Sequence, residues 1–259
     1  MGGRKHPQDL CNGGNILTIL GIDTAGRTMS VALLENDTLL CEQTLATGLT
    51  HSETLLPTVD AVLKAAGKTC ADIDLFGVCA GPGSFTGLRI GLALVKGLAL
   101  PNNTPCAGVS TLQALALCHP AEGTVLSALD ARRGEVYWAA FNGADGARLT
   151  PDAAQKADKA LEFAKVCKKP LFFVGDGAGL CYNKGSDIPG LVFLPEPCRA
   201  SRALGICLAA RQMEAAGLAV PPAELLPEYL RLSQAERERL EKNPVVVETV
   251  PDCPAVPAF

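Results

Sequence analysis

The sequence predicts an α/β protein made of two similar lobes facing each other across a cleft, and three observations carry that prediction. An apolar run at 16–21 is followed by a turn holding Asp23 and a second apolar run at 28–34. The same order returns at 124–129, Asp130 and 136–141. Between them, residues 75–100 read as a buried strand, a glycine loop and a helix, the alternation expected of α/β proteins.

Taking the elements in order, 38–43 pairs back on 28–34 through the loop Glu35-Asn36-Asp37. Thr50 and Glu53 form a capping box that starts a helix striped by Leu55, Val59, Val62 and Leu63 and ended by Gly67, with a bend expected at Pro57. After the strand at 75–79 comes a loop containing Gly81, Gly83 and Gly87. Leu88, Leu92, Val95 and Ala99 then recur at helical spacing until Pro101. A short strand at 104–109 and a short helix at 111–118 follow. The second lobe continues with a helix at 159–166, a strand at 170–174 and the turn Gly175-Asp176-Gly177. A helix at 201–216 is closed by Gly217. The expected division is residues 16–112, then 113–232, with helix 201–216 a candidate to pack back on the first lobe. Residues 1–15, with four glycines, read as a disordered leader rather than a secretory signal. Residues 233–242 read as a charged helix, and 244–259, with four prolines, as a disordered tail.

Composition narrows the function. Hydrophobic residues make up 48% of the 259, enough to fill a core. Lys and Arg number 23 against 27 Asp and Glu, a net charge of −4, which excludes a strong grip on nucleic acid by this chain alone. Eleven cysteines are scattered without a C-x-x-C pair, so they read as reduced structural thiols of a cytoplasmic protein. No segment reads as a membrane span.

The glycine loop before a helix can do two things. It can offer bare N–H groups to a phosphate, or it can let segments pack closely through Gly83, Gly87 and Gly91. Asp23 at a strand tip can likewise face a magnesium–phosphate group or simply cap its turn. With only His6, His51 and His119, no two-histidine zinc pair at helical spacing is present. Ser84 lacks the nucleophile-elbow pattern and is expected as the helix N-cap. Arg89 and Arg132 could reach a phosphate or carboxylate, or lie on solvated faces.

The segments LGIDTAGRTMSVALL, THSETLLP, AGPGSFTGLRIGLALVKGLA, LDARRGEVYWAAF and the late PEYLR occur in this order over 16–231. Together they resemble the bacterial TsaB (YeaZ) family, relatives of the O-sialoglycoprotease-like proteins. The resemblance implies an actin/hexokinase-like fold of two related lobes. It implies a non-catalytic role in making threonylcarbamoyladenosine (t6A) in tRNAs that read ANN codons, with no cofactor required. The partners implied are TsaD, which transfers the threonylcarbamoyl group, and the ATPase TsaE. A homodimer is implied in isolation, and tRNA contact only through the complex. TsaD-type proteins hold a metal through an H-x-x-x-H element; the comparable stretch here, 109–115, has no histidine.

The family's pairing helices correspond to 51–66 and 85–100. Candidate interface residues are therefore His51, Leu55, Val59, Val62, Gly87, Leu88, Gly91, Leu92 and Val95, and Gly91→Leu is expected to weaken association without harming the fold. A vestigial ATP or ADP site would draw on Asp23, Thr24, Gly81, Gly83, Ser84, Asp130, Gly175 and Asp176. Two rival readings remain: a small kinase of the same fold with Asp130 or Asp23 as base, and a peptidase, which needs a nucleophile or metal that these residues do not assemble.

Overall fold

The structure is a computed structural model, and it describes residues 16–119 and 122–231. The leader at 1–15 and the charged helix and tail at 233–259 lie outside the described residues.

In the first lobe, β1 (Thr18–Asp23), β2 (Met29–Glu35) and β3 (Thr38–Leu45) form an antiparallel meander. Helix α1 (His51–Ala65) leads to β4 (Leu75–Gly81), which lies parallel to β1. Helix α2 (Phe85–Ala99) then leads to β5 (Cys106–Ser110), parallel to β4. The order across the sheet is β3-β2-β1-β4-β5.

Helix α3 (Thr111–Leu117) carries the chain into the second lobe. There β6 (Thr124–Asp130), β7 (Glu135–Asn142) and β8 (Ala153–Lys156) repeat the antiparallel meander. Helix α4 (Ala157–Val166) precedes β9 (Leu171–Val174), α5 (Ala178–Lys184) follows it, and β10 (Leu191–Val192) ends the sheet. Its order, β8-β7-β6-β9-β10, repeats that of the first sheet strand for strand, with parallel pairs in the same places.

Period-two alternation dictates the layers. In β1, Leu20 and Ile22 face Leu55, Val59 and Val62 of α1 and Leu92 and Val95 of α2. The opposite face carries Ile19, which meets Ile206, Cys207 and Ala210 of α6 (Ala203–Ala215). So α6 packs on the first sheet, and after Ala200 the chain has returned to that lobe. In the second sheet, Leu126, Ala128 and Trp138 face α4 and α5, while Val125, Tyr137 and Phe141 face Leu112 and Leu115 of α3. Helices α3 and α6 pack on each other between the two sheets. A Cβ on Gly205 would come within 2.0 Å of Ala114 O, so only a bare α-carbon allows this approach.

Local signals hold. Thr50 and Glu53 form the capping box of α1, and Gly67 leaves the helix at φ +65°. Pro57 lies within α1, which runs as one element from His51 to Ala65. Ser84 Oγ accepts the N–H of Gly87 at 3.2 Å and caps α2. Strands β8 and β10 and helix α5 carry no clear sequence signal: the two strands are short and half-exposed, and α5 is two turns long. All described cysteines are free; Cys79, Cys106, Cys181 and Cys207 are buried and serve as core volume, and burial pushes the Cys181 thiol up to about 12. Among the described residues no helix is long and apolar enough to cross a membrane.

Candidate functional site

Five segments converge where the C-terminal ends of β1, β4, β6 and β9 meet the loop entering α6. They enclose two adjoining hollows of about 420 Å³ each, which share Gly26, Arg27, Leu129, Asp130 and Asp176. One is completed by Thr111, Glu196 and Ser201, the other by Gly83, Ser84, Arg132 and Arg231.

The two aspartate turns are locally alike. Asp23 Oδ1 accepts the N–H of Ala25 at 2.9 Å, and Asp130 Oδ1 accepts that of Arg132 at 2.7 Å, so each carboxylate fixes its own turn. Their surroundings differ. Asp23 is 2% exposed, and its second oxygen takes the hydroxyl of Ser201. Asp130 opens to the cleft, where its backbone N–H donates to Asp176 Oδ1 at 2.9 Å. Asp176 is exposed to the cleft, yet desolvation by the surrounding walls raises its carboxyl above the usual carboxylate range, and the charge of Asp130 adds to the effect. The N–H groups of Asp130 and Gly177 and the charge of Arg27 work against it.

Of the eight residues expected to hold a nucleotide, Gly83, Ser84, Asp130, Gly175 and Asp176 line the cleft. The other three do not. Asp23 is sealed. Thr24 is fully buried: its N–H donates to Cys79 Sγ at 3.2 Å and its hydroxyl to Gly87 O at 2.8 Å. Gly81, at φ +143°, is covered by the carbonyl of Glu228. A Cβ on Gly83 would meet Ala25 O at 2.7 Å, one on Gly87 would meet Thr24 O at 2.0 Å, and one on Gly91 would meet Thr24 Oγ1 at 2.5 Å. The glycines therefore seat α2 on the β1–β2 turn. The polar side-chain atoms of Asp23 and Thr24 are thus satisfied within the chain, and neither residue is available to a phosphate from the first-lobe side.

The expected pairing residues are corrected in the same way. Leu55, Val59, Val62, Gly87, Leu88, Gly91, Leu92 and Val95 are all buried in the chain's own core, and His51 Nε2 donates to Gly26 O at 3.1 Å. A core side chain is not available to a partner, so Gly91→Leu strikes the fold first, at a cost of about 1–3 kcal/mol. The outward faces of the same helices are different residues: Leu56, Ala61 and Ala65 on α1, and Ala93 and Gly97 on α2 with Leu100 at its C-cap. Leu56 is 54% and Leu100 65% exposed, and a Cβ on Gly97 meets nothing within 4 Å.

Other candidates are occupied. Each ring nitrogen of His119 lies 2.8 Å from a carbonyl oxygen, of Leu115 and of Cys198. Arg89 Nε donates to the Tyr229 hydroxyl at 2.9 Å, and Arg132 lies 3.8 Å from Asp130 Oδ2. Among the described residues, no three His, Cys, Asp or Glu side chains group as metal ligands. Sequence reasoning missed Ser201 and Arg231. Nothing local marks Ser201, and Arg231 stood only within the PEYLR segment.

Fold and cleft together define a duplicated α/β protein whose two lobes, each built on a five-stranded sheet of the same strand order, face each other across a carboxylate-lined crevice. The family described as "TsaD: tRNA N6-adenosine threonylcarbamoyltransferase" matches residues 46–195. The Bacillus subtilis tRNA threonylcarbamoyladenosine biosynthesis protein TsaB is 32% identical over 232 residues, 88% of this chain and 100% of that protein. The Escherichia coli protein of the same name is 41% identical over 133 residues, 48% of this chain and 55% of its own length. The crystal structure of YeaZ from Pseudomonas aeruginosa superposes with a TM-score of 0.69 at 29% identity, covering 83% of this chain and all of that one. The chain belongs to the TsaB (YeaZ) family.

Proposed function

We propose that this chain serves tRNA threonylcarbamoyladenosine biosynthesis as a non-catalytic pairing subunit, joined to a TsaD-type transferase through the outward faces of α1 and α2. Its family membership supports the pathway. The observation that carries the pairing role is the strip of small and apolar residues those helices present: Leu56, Ala61 and Ala65 beside Ala93, Gly97 and Leu100. Residues 86, 90, 93, 97 and 100 follow the four-then-three spacing of a helix seam, and small side chains let a second helix pair approach closely. The sealing of Asp23 by Ser201 supports the lack of independent chemistry at that turn, because a carboxylate buried in the chain and held by Ser201 and the Ala25 N–H is out of a substrate's reach. The same face joins two copies of the chain when no transferase is present. The ATPase TsaE acts on the pair, and tRNA is held by the transferase.

Reconstitution tests this reading. TsaD and TsaE with this chain should modify tRNA, and omitting the chain should abolish modification. The chain alone with Mg-ATP should turn over nothing; phosphorylation of an added substrate would establish the kinase reading instead. Gly97→Leu and Ala93→Arg should weaken pairing by about tenfold or more, roughly 1.4 kcal/mol, while leaving thermal unfolding unchanged. Undiminished pairing by both variants would remove this face from the proposal.

A further inference from the structure

The final described residues, Pro227–Arg231, belong to no helix or strand, yet they are fastened at three points. The N–H of Glu228 donates to Ala80 O at the end of β4, at 2.8 Å. The carbonyl of Glu228 presses on Gly81, where a Cβ would come within 2.1 Å, so a bare α-carbon is what lets the segment down onto the strand end. The ring of Tyr229 stacks on Phe85 of α2, with centroids 4.3 Å apart and planes 11° from parallel, and its hydroxyl accepts from Arg89 Nε. All of these contacts lie in the first lobe.

Two residues further on, Arg231 engages the second lobe. Its guanidinium donates to Ala131 O at 2.8 Å and pairs with Glu135, both in the β6–β7 hairpin. The pair is largely covered, with side chains 21% and 29% exposed, where water screens it less than at an open surface. Arg231 also lines the hollow between Ser84 and Phe85 on one side and Asp130 and Arg132 on the other.

We infer that residues 227–231 form a latch between the lobes that sets how far the cleft opens, with Tyr229 as its anchor on α2 and Arg231 as its bolt on the β6–β7 hairpin. The chain length carries this inference. Two residues of extended backbone span at most about 7 Å, so beyond that length only the side chains of Tyr229 and Arg231, each held at its tip, can follow a widening rim. Away from the strap, the lobes meet through α3 and α6, packed helices that allow small sliding and rotation, and through one hydrogen bond from Ser110 at the end of β5 to Asp152 before β8. Opening the rim around that layer must therefore break either the Tyr229 stack or the Arg231 pair. A tail that merely covered surface would have two independent attachments, and losing one would leave the other lobe unaffected. This inference stands apart from the pairing role, since it concerns the chain by itself.

Hydrogen exchange on the full chain, read by peptide mass, distinguishes latch from tail. Tyr229→Leu changes the first lobe only. It should nevertheless speed exchange of the 131–136 amides in the second lobe by about tenfold, as should Arg231→Ala. The double variant should exchange no faster than either single one, because both break the same connection. Glu135→Gln, a milder change at the other end, should speed exchange of residues 82–86 in the first lobe. Peptides covering α4 and α5 should be unchanged throughout. The latch is overturned if Tyr229→Leu leaves 131–136 unaltered and Glu135→Gln leaves 82–86 unaltered. It is equally overturned if the variants loosen α4 and α5 to the same extent as the two rims.

Discussion

In the first lobe, the strand β1 ends in an aspartate covered by a hydroxyl from 178 residues further along the chain; in the second, β6 ends in an aspartate that faces the cleft. The strand order is the same on both sides, and so is the turn, with the N–H two residues on bonded to one carboxylate oxygen in each. The turn is a local product of Asp followed by a short loop. The cover is not local: Ser201 reaches Asp23 only because α6 folds back on the first sheet. The difference teaches that a duplicated chain keeps the geometry of both turns while spending one carboxylate on cohesion and leaving the other facing the cleft.

The largest test of this contrast replaces each aspartate. Asp23→Ala strands the Ser201 hydroxyl and the Ala25 N–H in a buried place and should cost about 2–3 kcal/mol. Asp130→Ala, at the open turn, should cost within about 0.5–1 kcal/mol. Urea unfolding of the two variants measures the gap, and equal losses would break the comparison.

Next comes the helix layer between the lobes. Gly205→Ala places a methyl against Ala114 O and should cost about 1–3 kcal/mol. Gly179→Ala, in α5 outside that layer, meets only Arg199 at an ordinary 3.6 Å, and should stabilise by about 0.5–1 kcal/mol through helix propensity. Opposite signs in thermal unfolding would show that close approach is demanded between the lobes and not at the periphery.

Ser201→Ala removes the cover and keeps the carboxylate, and it should cost about 1 kcal/mol in the same unfolding assay. The smallest effect concerns Asp176. The cleft walls around this exposed carboxyl raise it above the ordinary value of 3.8, chiefly by desolvation, so the folded state holds its proton slightly more tightly than the unfolded one. Stability contributed by this group is present below pH 3.8 and falls as pH rises through the elevated folded value. Asp176→Asn should therefore be slightly more stable than the parent at pH 7, with the advantage vanishing in acid. A constant difference across the pH range would assign the raised titration to another group.

Much of this architecture is legible residue by residue. Thr50 and Glu53 announce α1, Ser84 announces the cap of α2, and the alternating apolar strands place β1, β2, β6 and β7. These signals act over three or four residues, so the sequence displays them directly. The stripe Leu55, Val59 and Val62, and its counterpart Leu88, Leu92 and Val95, are legible as apolar faces but not as partner faces. A stripe reports that a side is buried without saying against what, and here the answer is the chain's own strands. The glycine loop was open to two readings because its decisive neighbours, Thr24 and Ala25, lie about sixty residues upstream. Strands β8 and β10, half-exposed and only four and two residues long, have too little alternation to show.

By itself the sequence determined the strands and helices, the two aspartate turns, the duplication and the family, because each rests on residue types at short, fixed spacing. Only the tertiary structure decided which carboxylate is sealed, which helix face stays exposed, and that five late residues touch both lobes. Those outcomes depend on which distant segments come to lie on one another, and neighbours brought together across 60 to 180 residues leave no mark in local pattern.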